Sequence, residues 1–368
     1  MSKRAVRYAV IGLGHIAQVA VLPAFAHAAQ NSQVTALVSG TPTKLKQVGK
    51  RYGIPHTYSY RDYDRCLNDG HVDAVYIALP NSMHCEYAVR AARAGIHVLC
   101  EKPMAMTTEE CRQMIKAAKQ ARVKLMVAYR LHFEEANMTA VDLIRSGQLG
   151  PVRLFNSVFA MQVRSGDIRV KRKYGGGTLY DIGVYCINAA RYLFGEDPLE
   201  VSAFAVSGVD RRFKEVDVMT GALLRFPQDR LGTFVCSFGT TDVSAYEVVG
   251  TKGRIRVEPA YEYVGELNDL SSKVRTMLLN ALRAYATDDV ALLDQVIAAD
   301  AEVDAIWKAV RRRLKETMRK DPDQLDAGYK LMQAFHHLEY VGDHAVSIAE
   351  RLEFVRTGNL VRFNRAHI

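Results

Sequence analysis

A doubly wound α/β domain, an α+β domain with an open antiparallel sheet and a C-terminal all-α three-helix bundle are the architecture this 368-residue sequence predicts. Three observations predict it. A short apolar run, Tyr8 to Ile11, ends in Gly12-Leu13-Gly14-His15-Ile16-Ala17 and passes into an Ala-rich helical segment, and strand and helix signals alternate from there to about residue 127. Strand-like runs punctuated by Gly, Pro and Asp dominate residues 128–267. From about Asn268 the strand signals stop, and helical periodicity alone remains to residue 368. The expected domains are therefore 1–127, 128–267 and 268–368.

The first strand and turn set the first domain. Gly12 permits a tight turn, Gly14 lets the backbone approach a pyrophosphate, and Ala17 lets the helix pack close to the strand, so two phosphates can rest on the helix N-terminus. This is the pattern of a dinucleotide-binding Rossmann domain, against the plainer reading of an ordinary glycine turn. The second strand, Val34 to Val38, ends in Ser39-Gly40-Thr41-Pro42-Thr43-Lys44, where an NAD site would carry an acid for the ribose 2'-hydroxyl. Small hydroxyl residues with Lys44 leave room and charge for a 2'-phosphate, so NADP is the expected cofactor and Ser39, Gly40 and Lys44 its candidate ligands. The alternative makes Lys44 a solvated helix residue. Val72 to Leu79 reads as a buried strand, followed by Pro80-Asn81-Ser82-Met83-His84 and a helix to about Ala94; Ile96 to Cys100 then delivers Glu101-Lys102-Pro103 to the same edge. Thr107 or Thr108 caps the next helix, with Glu110 or Glu109 in its first turn. A strand from Lys124 to Tyr129 runs into Arg130 and His132. Loops at the carboxyl ends of such strands hold ligands, which makes Pro80, Asn81, His84, Glu101, Lys102 and Arg130 further cofactor-binding candidates.

In the second domain the strand-like runs are Val152 to Gln162, Val201 to Val209, Val218 to Phe226, Leu231 to Phe238 and Tyr246 to Val257. One helix interrupts them. Gly175-Gly176-Gly177 opens it, and Thr178 to Leu193 carries Asp181 and Tyr185 four apart, on one helical face.

GLGHIA, ALPNSMH, CEKPM and GGGTLYDIGVY, in this order and spacing, resemble the Gfo/Idh/MocA oxidoreductases over about Tyr8 to Leu267, and especially their glucose-fructose oxidoreductase branch. SGTPTK is similar to the NADP-binding turn of that branch. The resemblance implies a Rossmann domain, then an open, mostly antiparallel sheet domain, with hydride transfer on a sugar or cyclitol between them. It places Lys102, Asp181 and Tyr185 at catalytic positions. Oxidising a hydroxyl needs a base for the proton and a nicotinamide for the hydride; an adjacent Lys102 ammonium would favour the phenolate of Tyr185 as that base. Asp181 would bond the substrate hydroxyl or keep Lys102 charged, and Glu101 would contact the nicotinamide ribose. Arg169, in the basic run Arg169 to Lys173, would grip substrate or cofactor, or else belong to a solvated turn. Lys102, Arg169, Asp181 and Tyr185 are thus the expected substrate-binding set.

The last domain departs from that family, which normally continues with more sheet. Three helical segments follow instead, Ser271 to Ala286, Val290 to Arg319 and Gln324 to Arg356, separated by Thr287-Asp288-Asp289 and Asp321-Pro322-Asp323. Val290, Leu293, Ile297, Val303, Trp307, Val310, Leu314 and Met318 recur at threes and fours in the second; Leu325, Met332, Phe335, Leu338, Ala345, Ala349 and Leu352 do so in the third. Asp300 to Asp304 and Leu338 to Arg351 resemble half of a PhoU phosphate-regulatory protein, whose acid pairs bind metal clusters. Asp300/Asp304 and Glu339/Asp343 are the corresponding metal candidates, for a divalent ion or for iron or zinc; the alternative is solvated or arginine-paired acids. Half of a two-repeat fold leaves an apolar face, so a homo-oligomer is expected.

Composition bounds the partners. Of 49 Lys+Arg and 40 Asp+Glu, residues 268–368 hold 15 of each, so the whole formal excess of +9 lies in residues 1–267. That suits a phosphate-bearing cofactor or an anionic substrate, and no basic stripe interleaved with aromatics points to nucleic acid. Six scattered cysteines without a CxxC pair predict reduced, buried thiols. No signal-type segment and no apolar stretch of membrane-spanning length is read, so no membrane partner and a cytoplasmic location are expected. Three readings stay open: an NADP-dependent sugar oxidoreductase with a regulatory or oligomerising appendage, an NADP-binding redox or phosphate sensor that does not turn over, and a chimera of unrelated pieces with no joint function.

Overall fold

The computed structural model describes residues 4–208, 210–261, 266–320 and 325–358. It comprises two compact units that divide after Tyr261. The Asp321-Pro322-Asp323 break, Gln324 and Val209 lie outside the described residues.

In the first unit, β1 (Val6–Ile11), β2 (Ser32–Val38), β3 (His56–Tyr58), β4 (Ala74–Ile77), β5 (His97–Cys100) and β6 (Leu125–Val127) form a wholly parallel sheet in the order 3-2-1-4-5-6. Helices cover such a sheet on both faces, which is why Ala9, Val10 and Ile11 of the central strand are wholly buried. The order reverses at β1, so the crevice where ligands bind in this architecture opens at the turn that begins with Gly12. Gly12 has φ +94°, and a Cβ there would lie 2.6 Å from the Ala78 carbonyl oxygen. The cap of the helix Thr108–Ala121 is Thr107: its hydroxyl accepts from the Glu110 N–H at 3.1 Å, and the Glu110 carboxylate accepts from the Thr107 N–H at 3.2 Å. That reciprocal pair contributes about 1 kcal/mol. β3 and the helices Pro42–Tyr52 and Tyr63–Asn68 are short or carry few apolar residues, which hides them from pattern reading, and the helix Glu135–Arg145 goes unread as well.

The second sheet holds β7 (Val152–Gln162), β8 (Glu200–Val206), β9 (Met219–Phe226), β10 (Arg230–Ser237), β11 (Gly239–Gly250) and β12 (Arg254–Val257) in the order 12-11-7-10-9-8. Its pairs are antiparallel except β7 with β10, which are parallel. The expected run Tyr246 to Val257 is two strands, because the chain reverses where the Gly250 N–H donates to the Gly253 carbonyl at 2.8 Å. The helix Val184–Phe194 lies on the inner face and buries Tyr185, Cys186, Ala189, Ala190 and Leu193 among Phe155, Phe159, Phe226 and Phe234.

The second unit has helices Glu266–Thr287, Val290–Lys320 and Leu325–Thr357 around Leu270, Val274, Val296, Val303, Val310, Phe335, Ala345 and Ala349. Val290 and Leu325, expected inside, are exposed because they sit in first turns, beyond the reach of the neighbouring helices. No described helix is long and apolar enough to cross a membrane.

Candidate active site

The carboxyl edge of the parallel sheet gathers the residues that carry chemistry. After β1, a Cβ on Gly14 would meet nothing within 4 Å, whereas Gly12 has no space for one. Ala17 is wholly buried at the start of the following helical segment. After β2, Ser39 is buried and its hydroxyl accepts from the Thr41 N–H at 3.3 Å. Gly40 lies against Tyr60, to whose ring a Cβ would come within 3.0 Å. Lys44 reaches back over the first turn and donates to the Leu13 carbonyl at 3.5 Å. Its ammonium therefore lies beside the Gly12-Leu13-Gly14 backbone.

After β4, Pro80 precedes the turn Asn81–Met83, and the Asn81 amide donates to the Gly175 carbonyl at 2.8 Å, joining this loop to the glycine-rich segment of the sheet domain. His84 differs from expectation. It is wholly buried, and its ring nitrogens lie 2.8 and 2.9 Å from the carbonyl oxygens of Pro103 and Leu79. The neutral ring donates its one N–H to one of these carbonyls, and with both nitrogens enclosed by backbone and the ring wholly buried, His84 ties the loops after β4 and β5 together and is not open to a cofactor. Burial, against those two carbonyls, lowers its pKa. Arg130 donates through Nη2 to the Tyr261 carbonyl.

After β5, Glu101 is buried and accepts from the Tyr76 hydroxyl at 2.6 Å and from the Lys102 N–H at 3.2 Å. The Lys102 ammonium crosses to the sheet domain, donating to the Asp181 carboxylate at 3.0 Å and to the Asp181 main-chain carbonyl at 2.8 Å, and lies 4.9 Å from the centre of the Tyr185 ring. The other carboxylate oxygen of Asp181 accepts from Arg169 Nε at 2.7 Å. Arg169 is thus the second cation on Asp181, rather than part of a solvated turn, and it also pairs with Asp167 at 3.3 Å. The side chains of Lys102 and Asp181 are only 13% and 15% exposed. Burial works against each charge, yet the partners win: Asp181, Tyr185 and Glu101 hold the ammonium well above lysine's usual range, while Lys102 and Arg169 hold the Asp181 carboxyl below its own. Near pH 7 both stay charged.

Two neighbours had no signal in the sequence. Tyr76 lay inside a run read wholly as core. Tyr129, two residues past β6, is half-buried, which raises its phenol, and feels the Lys102 charge, which lowers it.

In the second unit, Asp300, Asp304, Glu339 and Asp343 do approach one another. Burial first, then Asp304, Asp343, Glu339 and Glu350, push the Asp300 carboxyl up to about 6. The expected metal ligand set is nevertheless not assembled: among the described residues no three His, Cys, Asp or Glu side chains are arranged to hold an ion. Asp304 turns to Lys308 at 3.1 Å and Glu339 to His336 at 3.3 Å, each on its own helix.

Comparison with known proteins follows these divisions. Residues 6–129 match the oxidoreductase family with an NAD-binding Rossmann fold, residues 137–256 the GFO/IDH/MocA C-terminal domain, and residues 267–352 the PhoU domain. The aldose-aldose oxidoreductase of Caulobacter crescentus, solved with glycerol, is 44% identical and superposes with a TM-score of 0.68 over 71% of this chain and 79% of its own. A 3-ketoreductase from Actinomadura kijaniata, solved with NADP and TDP-benzene, is 31% identical with a TM-score of 0.64 over 70% of this chain and 78% of its own. D-xylose 1-dehydrogenase [NADP(+)] from Haloarcula marismortui is 33% identical over 265 residues, 70% of this chain and 73% of its own. This chain belongs to the Gfo/Idh/MocA oxidoreductase family and carries a PhoU domain after it.

Proposed function

We propose that the chain is an NADP-dependent oxidoreductase that moves a hydride between nicotinamide and a CH–OH carbon of an aldose, another pyranose or a cyclitol. The observation that carries this is the ion cluster of Lys102, Asp181 and Arg169 beside Tyr185, at the edge where Gly12, Gly14, Ser39 and Lys44 converge. The residues fit the cofactor: a side chain is sterically excluded at Gly12, open space lies over Gly14 for a pyrophosphate, and Lys44 supplies a cation where an acid would reject a 2'-phosphate. Bound there, the nicotinamide would accept or give the hydride. Tyr185 takes the hydroxyl proton as the substrate is oxidised and returns it in the reverse direction. The Lys102 ammonium stabilises negative charge on the phenolate and the reacting oxygen, while Asp181 and Arg169 fix that ammonium in place. Relatives named for xylose and for paired aldoses support a sugar as the substrate. All six cysteines are free, in keeping with the reducing cytoplasm.

We infer a homo-oligomer as well. Leu154, Val158, Leu223, Leu231, Val235 and Phe204 are exposed on one face of the second sheet, in register across β7, β10, β9 and β8. A face of that kind favours a second copy. The bundle's exposed Leu279, Leu282 and Tyr285 offer a competing surface. Light scattering of the full-length chain tests the inference, and a monomer overturns it; Val235→Glu and Leu282→Glu then separate the two surfaces by which of them dissociates the assembly.

For the activity, NADPH oxidation and NADP reduction are followed by nicotinamide absorbance with a panel of aldoses and cyclitols. Turnover with at least one is expected, and binding of NADP with no turnover on any would favour the sensor.

A further inference from the structure

We propose that Thr178, Gly183 and Thr220 are positioning residues, which hold a widened helical turn so that the main-chain carbonyl of Asp181 is a fixed ligand of the Lys102 ammonium. The proposal rests on the oxidoreductase reading above and adds a part to it. The helix that bears Asp181 and Tyr185 does not begin as a regular α-helix. Leu179–Gly183 is a π-helical turn, closed by the Val184 N–H donating to the Leu179 carbonyl, and only Val184–Phe194 continues as α-helix. Such a turn fits one residue more than an α-turn, is rare, and is frequent at functional sites. Something must hold it.

The sheet beneath does so at both ends of the turn. Thr178, 1% exposed, shares a hydrogen bond with the Thr220 hydroxyl of β9 at 3.0 Å. Cys236 of β10, paired in register with Thr220, directs its thiol to the Thr220 carbonyl at 3.5 Å. At the far end, a Cβ on Gly183 would lie 3.0 Å from Cys236 Sγ and 3.1 Å from Leu179 Cδ1, closer than packed carbon and sulfur tolerate without movement. Glycine therefore lets this turn sit down on the sheet while the threonine pair anchors its start. The opposite side of the turn offers the Asp181 carbonyl to Lys102 at 2.8 Å, beside the carboxylate contact at 3.0 Å. A carboxylate can follow a rotamer change; a main-chain oxygen moves only with the helix. The distance from the ammonium to Tyr185, which lies one turn further along, is thus set by the seating of the turn.

The test uses full-length protein: Thr178→Val, Thr178→Ser and Gly183→Ala beside Lys102→Met and Tyr185→Phe. Thr178→Val and Gly183→Ala should lower kcat by about 10- to 100-fold with KM for NADPH unchanged, the scale of a misplaced catalytic group. They should also displace the basic limb of the kcat pH profile, and Thr178→Ser, which keeps the hydroxyl, should restore both. Independently of turnover, the ζ-15N ammonium signal of Lys102 should exchange its protons about tenfold faster in Thr178→Val, as a buried ammonium that loses a hydrogen-bond acceptor does. An unmoved ammonium signal together with a wild-type pH profile overturns the proposal. If Lys102→Met and Tyr185→Phe keep wild-type turnover, the catalytic assignment of the cluster fails instead; if the wild type turns over none of the aldoses or cyclitols, the oxidoreductase reading fails. In either case the ammonium signal alone still decides for or against the seating of the turn.

Discussion

Asp181 and Asp300 are the same residue in two settings that differ in the sign of their neighbours. Each is a partly buried helical carboxylate, and burial raises the pKa of each. Asp181 faces Lys102 and Arg169, which reverse that effect and leave the carboxyl below its usual range. Asp300 faces Asp304, Asp343, Glu339 and Glu350, which add to it. Burial alone therefore does not decide what a carboxylate does; its partners do. The pH dependence follows with opposite signs. Asp181, lowered in the folded state, contributes stability that is present above the unfolded value of about 3.9 and is lost as pH falls through its folded value. Asp300, raised to about 6, contributes stability that is present below the unfolded value and is lost as pH rises through about 6. From pH 4 to 6 the first cluster is fully held together while the second progressively loses its proton.

Substitutions can break that contrast or sharpen it. The largest effect is expected at Tyr185, the proposed proton carrier beside the first cluster: Tyr185→Phe should lower single-turnover hydride transfer by about 10² to 10⁴ with NADP affinity unchanged. Retention of more than a tenth of the rate would move the proton transfer elsewhere. Next comes Lys102→Met, which leaves Asp181 with one cation. It should destabilise the protein by about 3 kcal/mol in chemical denaturation at pH 7, because a buried carboxylate loses one of its two cations. At the opposite site the same kind of experiment should reverse sign. Asp300→Asn removes a repelled charge and should stabilise the helical unit at pH 7 by about 1 to 2 kcal/mol after allowance for solvent screening. Hydrogen exchange of the bundle amides measures it, and the gain should vanish near pH 4; a gain independent of pH would assign it to something other than charge. A change of similar size is expected at the cofactor turn, where Lys44→Ala should weaken NADP binding by about 1 to 2 kcal/mol and leave NAD binding nearly unchanged in calorimetry. Equal losses for both cofactors would remove the 2'-phosphate from the argument.

Much of the architecture was legible because it is written in local pattern. The apolar run at Tyr8 to Ile11 and the glycine turn after it announce a buried parallel strand at the switch point, and β1 is that strand. The periodic residues of the last hundred positions announce three helices, and three are present. β7 was readable to its end residues, while β11 and β12 merged into one run, since the turn between them depends on Gly250 lying against Leu149. Within the site, Lys102, Asp181 and Tyr185 were singled out, and the structure brings them together. Arg169 had two readings, and only its 2.7 Å bond to Asp181 chose between them.

By itself, then, the sequence determined the order of elements, the turn that receives a dinucleotide and the residue types able to move a proton, since each depends on neighbours within a few positions. Only the tertiary structure decided what each charge meets. It turned His84 inward between two carbonyls, placed a second cation on Asp181, widened the turn that offers Lys102 a main-chain oxygen, and sent Asp304 and Glu339 to partners on their own helices instead of to a metal. The physical reason is distance. Electrostatic and hydrogen-bonding partners act over a few ångströms of space, and the ones that matter here are up to 79 residues apart in the chain.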